Sequence, residues 1–281
     1  MLTKHLDYSI DCWGEGYFSI NSQGEVEVCL AGGQPASLVS LIDQLKSKGV
    51  RLPVLVRFTD ILKDRVYQLS SAFHRAMTTL EYQAGYCSVY PIKVNQQRVV
   101  VESILAARNQ ASIHVGLEAG SKPELLAVLA LSDRVQSVVV CNGYKDREYI
   151  QLALAGTALG LRVYIVVEKL NELDRVIEES KRLGIEPLIG VRARLTSTGK
   201  GNWQNTGGTK GKFGLSAREI LCVVEKLKQA SLLKSLKMLH FHMGSQISAV
   251  EDIQVCMKEA CVYFSELHHL GVNIDHLDVG G

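Results

Sequence analysis

The chain has 281 residues, 47% hydrophobic and 21% charged, with a formal net charge of +2 at pH 7. That composition fits a soluble globular protein, and so small a charge gives no reason to expect a nucleic-acid or anionic-membrane partner. No apolar run approaches the roughly 18 residues of a membrane span, and Met1-Leu2-Thr3-Lys4-His5-Leu6-Asp7 lacks the apolar core of a signal peptide.

Residues 17–28 predict a hairpin, two short strands around the turn-forming Asn21-Ser22-Gln23-Gly24. Helical patterns follow at 36–48 and 60–80, on either side of a short strand at Pro53-Val54-Leu55-Val56-Arg57-Phe58. Residues 1–35 are expected to form an N-terminal β segment and 36–281 a single larger domain. A strand starting near Tyr86 then runs into Tyr90-Pro91-Ile92-Lys93-Val94-Asn95. It delivers one lysine to a strand end, where burial would disfavour the cation and leave a nucleophilic amine able to form a Schiff base. The bland alternative is a surface lysine just past a strand.

From here a rhythm sets in. Strands are expected near Tyr86, Ser112, Ser137, Arg162 and Pro187, about 25 residues apart, each followed by an amphipathic helical pattern. That spacing means parallel strands joined by crossover helices. Ser121-Lys122-Pro123-Glu124 and Ser216-Ala217-Arg218-Glu219 match the capping box. Asn171 can cap a helix that ends at Gly184. Two more strands are expected at 235–242 and 273–279, with a helix between them that stops at Gly271.

Seven such strands suit either an open doubly wound sheet or a (β/α)8 TIM-type barrel. Polar residues stand at many different strand ends: Lys93, Glu118, Asn142, Glu168, Arg192, Arg194, His240, His242 and Asp278. A barrel converges such ends on one face, whereas an open sheet gathers them at a switch point, so the barrel is the expected fold. Residues 195–214 interrupt the rhythm as a long loop rich in Gly, Thr and Asn, the kind of loop that is usually functional. Its Gly-Lys pairs do not have P-loop spacing.

Three further patterns have two readings each. His240-Phe241-His242 puts two imidazoles on one strand face, as metal ligands if partners lie nearby, or with His242 at the barrel mouth against a flat cofactor. Asp278-Val279-Gly280-Gly281 offers backbone N–H groups to a phosphate, or makes a tight turn. Seven irregularly spaced cysteines without a CxxC pair suit reduced residues of a cytoplasmic protein.

Several motifs occur in order: Tyr90-Pro91-Ile92-Lys93-Val94-Asn95-Gln96-Gln97, Gly116-Leu117-Glu118-Ala119-Gly120-Ser121-Lys122 and Cys141-Asn142-Gly143-Tyr144-Lys145-Asp146. Val191-Arg192-Ala193-Arg194-Leu195, Lys212-Phe213-Gly214-Leu215, His240-Phe241-His242-Met243-Gly244-Ser245-Gln246 and Asp278-Val279-Gly280-Gly281 follow. Together they resemble the biosynthetic arginine decarboxylases, pyridoxal-phosphate enzymes with an alanine-racemase-like barrel. Trp13-Gly14-Glu15-Gly16-Tyr17-Phe18 and the loop around Trp203 resemble that branch more than ornithine or diaminopimelate decarboxylases.

The resemblance implies roles. Lys93 would hold pyridoxal 5'-phosphate as a Schiff base, and His242 would stack on its ring. Ser245, Gly280 and Gly281 would contact the phosphate, and Glu118 and Arg192 would line the cofactor pocket. Asp278, Val279, Gly280 and Gly281 would begin the substrate segment. It implies L-arginine as substrate, agmatine and CO2 as products, a place in polyamine formation, a homo-oligomer when full length, and Mg2+ with no ligand set visible here. It also implies a longer chain, so that this one is expected to be a barrel truncated before its last strand and weakly active or inactive alone. Two alternatives stand: a metal-dependent barrel hydrolase using His240 and His242, and a non-catalytic pyridoxal-phosphate-binding relative.

Overall fold

Two units emerge from the packing in this computed structural model: residues 1–86 with 97–113, and residues 87–96 with 114–281. The structure describes residues 8–29, 33–109, 113–132, 137–197, 212–245, 247 and 249–280.

In the first unit a short helix, α1 (Ile10–Trp13), precedes the expected hairpin. β1 (Phe18–Ile20) and β2 (Val26–Val28) pair antiparallel, Phe18 opposite Val28 and Ile20 opposite Val26. Asn21 shapes the turn: its Oδ1 accepts the N–H groups of Gln23 and Glu25 at 3.0 and 2.9 Å, the side-chain mimicry that favours Asn there. A two-residue strand, β3 (Ala36–Ser37), adds to β2. The helices are α2 (Leu38–Ser47), capped by the Ser37 hydroxyl, α3 (Thr59–Thr79) and α4 (Arg98–Leu105). The strand expected at 53–58 does not form. Pro53 has no N–H for a ladder and Leu55 is 75% exposed, so neither pairing nor burial holds an extended segment in a sheet.

Among the described residues the second unit carries seven strands: β4 (Ser88–Pro91), β5 (Val115–Ala119), β6 (Val138–Cys141), β7 (Arg162–Val167), β8 (Leu188–Arg192), β9 (Leu236–His242) and β10 (His276–Gly280). All are parallel and lie in sequential order. Five helices alternate with the later strands: α5 (Lys122–Leu131), α6 (Arg147–Ala158), α7 (Leu170–Leu183), α8 (Ala217–Gln229) and α9 (Val250–His269). Sequential order is decisive between the two folds. A doubly wound sheet reverses its order at a switch point, whereas a barrel advances one way throughout. The described strands, seven in number, therefore form an incomplete (β/α)8-type barrel.

Both faces of this sheet are apolar, as parallel strands require. Leu117, Val139, Ile165, Ile189, Leu239 and Phe241 on the outward side are fully buried. Val140, Tyr164, Val166 and Met238 form the inner core, with Val89, Val138 and Leu188 packed against it. Curvature is visible in one contact at the base. Tyr164 Oη on β7 and Arg162 Nη2 each lie 3.1 Å from His276 Nε2 on β10. β8 and β9 separate those strands, and in a flat sheet that spacing is roughly 14 Å at ~4.8 Å per strand. The side chains meet only because the sheet is concave.

Helix ends follow the sequence in part. Ser216 and Glu219 make the full reciprocal capping box of α8. The box expected at Ser121 is not made: the Ser121 hydroxyl caps nothing, and Glu124 Oε2 accepts the N–H of Gly120 at 2.7 Å rather than that of Ser121. α7 ends at Gly184 with a left-handed φ of 67°. Its N-cap is Lys169 rather than Asn171, because Glu172 reaches back to the Glu168 N–H and already satisfies that end.

Replacing Tyr164 by Phe removes the hydroxyl shared by Arg162 and His276. We expect a loss of about 1–2 kcal/mol, the usual cost of one or two hydrogen bonds, read by urea unfolding. Unchanged stability would mean that the Tyr164–His276 contact does not hold the curvature.

Candidate active site

Side chains alternate between the two sides of a strand, and the register carries that alternation across the sheet. Pro91 lies opposite Glu118, and Glu118 opposite Val140. Val140 pairs with Tyr164, and Val166 with Gly190. Arg192 pairs with His240, His240 with Asp278, and His242 with Gly280. All these positions face inward. Following the same alternation one position past the strand ends puts Asn142 and Glu168 on that side as well, and Lys93, in the turn after β4, approaches Glu118 there. The polar strand ends expected from the sequence do converge at one mouth.

Lys93 departs from expectation in one respect. Its side chain is 64% exposed, with Nζ 3.9 Å from Glu118 Oε1. The burial premised for it is absent, because Pro91 closes the strand and Lys93 stands beyond it in the turn that follows. The amine is accessible and faces a carboxylate. Glu118 itself is half-buried at the mouth, and desolvation holds its carboxyl above the ordinary range, against the pull of Lys93 and His240. The neighbouring Asn142 side chain also opposes that rise.

His242 and His240 differ sharply. His242 is pushed down to about 4, first by burial and then by Arg192, His240 and Lys93, so its imidazole is neutral at pH 7. His240 lies deeper and is 4% exposed. Its Nδ1 is 2.8 Å from Asp278 Oδ2, a close contact without hydrogen-bond alignment. Among the described residues no group of three or more His, Cys, Asp or Glu side chains could hold a metal ion. The hydrolase reading of His240 and His242 therefore lacks its further ligands, and Mg2+ finds no site there.

Arg192 is nearly buried and pairs with Glu168 at 3.1 Å; its guanidinium lies 5.3 Å from the Phe213 ring centre. Gly280 is packed so closely that a Cβ would come within 2.8 Å of His242 Nδ1 and 3.2 Å of His240 Cε1. Gly244 has a φ of +127°, and the next residue, Ser245, is exposed. Val279 is on the strand's other side and 44% exposed. Gly281 and residues 198–211 of the long loop lie outside the described residues. The loop's return is anchored: Leu215 N donates to Arg192 O at 2.8 Å and Arg194 N to Leu215 O at 2.9 Å.

These residues fit a flat, phosphate-bearing aldehyde. An accessible amine, an uncharged ring facing inward, a glycine packed tightly beside it and an exposed hydroxyl at a glycine turn stand at one mouth. Sequence reasoning missed the fully buried pair Lys145 and Glu172 beneath it. Lys145 sits in Asn142-Gly143-Tyr144-Lys145-Asp146, where nothing in residue type distinguishes a buried lysine from a solvated one.

The family model described as pyridoxal-dependent decarboxylase, pyridoxal binding domain, matches residues 66–281. The chain is 57% identical over 281 residues to a biosynthetic arginine decarboxylase of Marinobacter nauticus, covering 99% of this chain and 44% of that protein. It is 52% identical to one from Pseudomonas aeruginosa, covering 98% and 43%. The crystal structure of a biosynthetic arginine decarboxylase from Campylobacter jejuni superposes with a TM-score of 0.86 at 31% identity, covering 96% of this chain and 44% of that one. Diaminopimelate decarboxylase from Helicobacter pylori shares the fold, with a TM-score of 0.67 at 20% identity over 84% of this chain and 55% of that one. The chain thus spans less than half the length of the curated relatives it matches.

The low value of His242 sets a pH dependence. The folded chain binds a proton there near pH 4, below the ordinary 6.5. Its contribution to stability is full above pH 6.5 and is lost as pH falls through about 4. The His242 imidazole signal, assigned through His242→Gln, is expected to titrate near 4 in a proton NMR series. A midpoint at 6 or above would contradict a desolvated ring.

Proposed function

We infer from this chain, which belongs to the pyridoxal-dependent decarboxylase family, that its protein converts L-arginine to agmatine and CO2. The observation that carries the reading is the meeting of the accessible Lys93 amine, Glu118 and the neutral His242 at the mouth of the barrel. The choice of arginine is supported by the identity to proteins named biosynthetic arginine decarboxylases.

Bound pyridoxal phosphate supplies an electron sink for the pair left on Cα when the bond to the carboxylate breaks. Lys93 would hold the aldehyde end of the cofactor. Glu118, whose carboxyl is held above the ordinary range by desolvation, faces the Lys93 amine and would exchange a proton with it. His242 would lie against the ring, and its neutrality matters: a flat uncharged imidazole packs there without opposing positive charge on the ring. Ser245, Gly280 and Gly281 would receive the phosphate, with Arg192 and Glu118 lining the pocket. Asp278 and Val279, with Gly280 and Gly281, would begin the substrate segment. In the balanced reaction the bond from Cα to the carboxylate breaks, CO2 leaves, and a proton replaces it on Cα. Agmatine is a precursor of putrescine and spermidine, which places the reaction at the head of polyamine formation. A homo-oligomer is proposed for the whole protein. No helix of the described residues is long and apolar enough to cross a membrane.

The test uses the protein expressed from its complete gene and arginine labelled in its carboxyl group. CO2 release is expected to require added pyridoxal phosphate and to favour arginine over ornithine, lysine and diaminopimelate at least tenfold in kcat/KM. Lys93→Ala should lower kcat by roughly 10³-fold or more, as loss of a covalent participant does. His242→Ala should cost at least tenfold more than His240→Ala. Preference for another amino acid would overturn the substrate, and equal losses at the two histidines with stoichiometric zinc would favour the hydrolase.

A further inference from the structure

Among the described residues one lysine is fully buried, and it is Lys145. Its Nζ lies 3.6 Å from Glu172 Oε2, with both side chains at 0% exposure, and it donates to the carbonyl of Gly143. A pair so cut off from water adds little stability, because desolvating two charges offsets their attraction, and apolar side chains often serve as well. What the pair touches is more informative. Glu172 Oε1 accepts the Lys145 N–H at 3.2 Å, and Oε2 accepts the Glu168 N–H at 2.9 Å. Glu168 in turn accepts the Gly143 N–H at 2.8 Å on Oε1 and Arg192 Nη1 at 3.1 Å on Oε2.

Gly143 is thereby held at both of its backbone groups, the N–H by Glu168 and the carbonyl by Lys145. Its φ is +75°, and a Cβ there would lie 2.4 Å from the carbonyl oxygen of Gly120, so the turn leaving β6 is pressed onto the turn that leaves β5 after Glu118. The charges balance, Lys145 and Arg192 against Glu168 and Glu172. A continuous polar path runs from a lysine closed to solvent up to an arginine at the mouth, tying together the ends of β6, β7 and β8.

We propose that Lys145 and Glu172 are positioning residues that, through Glu168, fix the Arg192 guanidinium and the Gly143 turn so that the mouth is preset for its cofactor. The inference rests on the reading that Arg192 lines the pyridoxal-phosphate pocket. Removing Lys145 leaves two buried carboxylates facing one arginine. They repel each other, Glu168 shifts, and Arg192 loses its fixed direction.

Pyridoxal phosphate is titrated by absorbance into the protein expressed from its complete gene, with melting followed in parallel. Lys145→Met and Glu168→Gln should each weaken binding at least tenfold. The double variant should be no more than about threefold worse than the weaker single, because sites acting through one path are not additive. Lys226→Ala, which breaks the exposed pair with Asp174, should leave binding unchanged. If Lys145→Met does not fold, Glu172→Gln takes its place in the same cycle. Variants that melt lower yet bind the cofactor like the wild type would overturn the inference, as would an additive cycle. A wild type that binds no pyridoxal phosphate would overturn the underlying reading and the inference with it.

Discussion

The register of one parallel sheet governs everything at the mouth. Because side chains alternate with a period of two, a slip of one residue on any strand would turn its inward groups toward the helices. Glu118, Arg192, His240, His242 and Asp278 share one side only because Pro91 faces Glu118, Arg192 faces His240, and His240 faces Asp278. That register is strongly specified, since both sides of the sheet are buried. A slip would place Leu117, Val139, Ile165 and Phe241, all fully buried, where polar ends now stand. Burying one such side chain contributes about 1.5–3 kcal/mol, so the apolar pattern selects the arrangement that also assembles the site.

Electrostatics then divide the labour among groups of similar chemistry. Two lysines and two histidines occupy contrasting places. Lys93 is open to solvent and faces Glu118, as an amine that must reach an incoming aldehyde should be. Lys145 is sealed, lowered by burial against the pull of Glu172 and Glu168, and suits support rather than reaction. His242 is held neutral by burial and by the cations Arg192 and Lys93. His240 lies beneath it against Asp278.

Much of this was legible in the residues, and what was not has a physical cause. The strand rhythm survives almost unchanged, because long apolar runs bounded by glycines and caps are strong local signals. The capping box at Ser216 forms, whereas that at Ser121 does not, because Glu124 finds the Gly120 N–H instead. The apolar stretch at 53–58 resembles a strand but has no neighbour to pair with; pairing is a tertiary property that composition cannot supply. The convergence of Lys93, Glu118, Arg192 and His242 was readable from their places at strand ends. The burial of Lys93 was misjudged for a related reason: the direction of one side chain past Pro91 depends on the turn that follows. The network of Lys145, Glu172 and Glu168 was invisible because it joins residues 27 and 4 positions apart through a backbone turn that only the fold creates.

The reading stands on one bond, between the Lys93 amine and the cofactor. Reducing the pyridoxal-phosphate-loaded protein with borohydride makes that bond permanent, and peptide mapping then locates it. A single label on Lys93 is the expected result. A label on Lys122, Lys145 or any other lysine would contradict the assignment of the mouth as the site of chemistry.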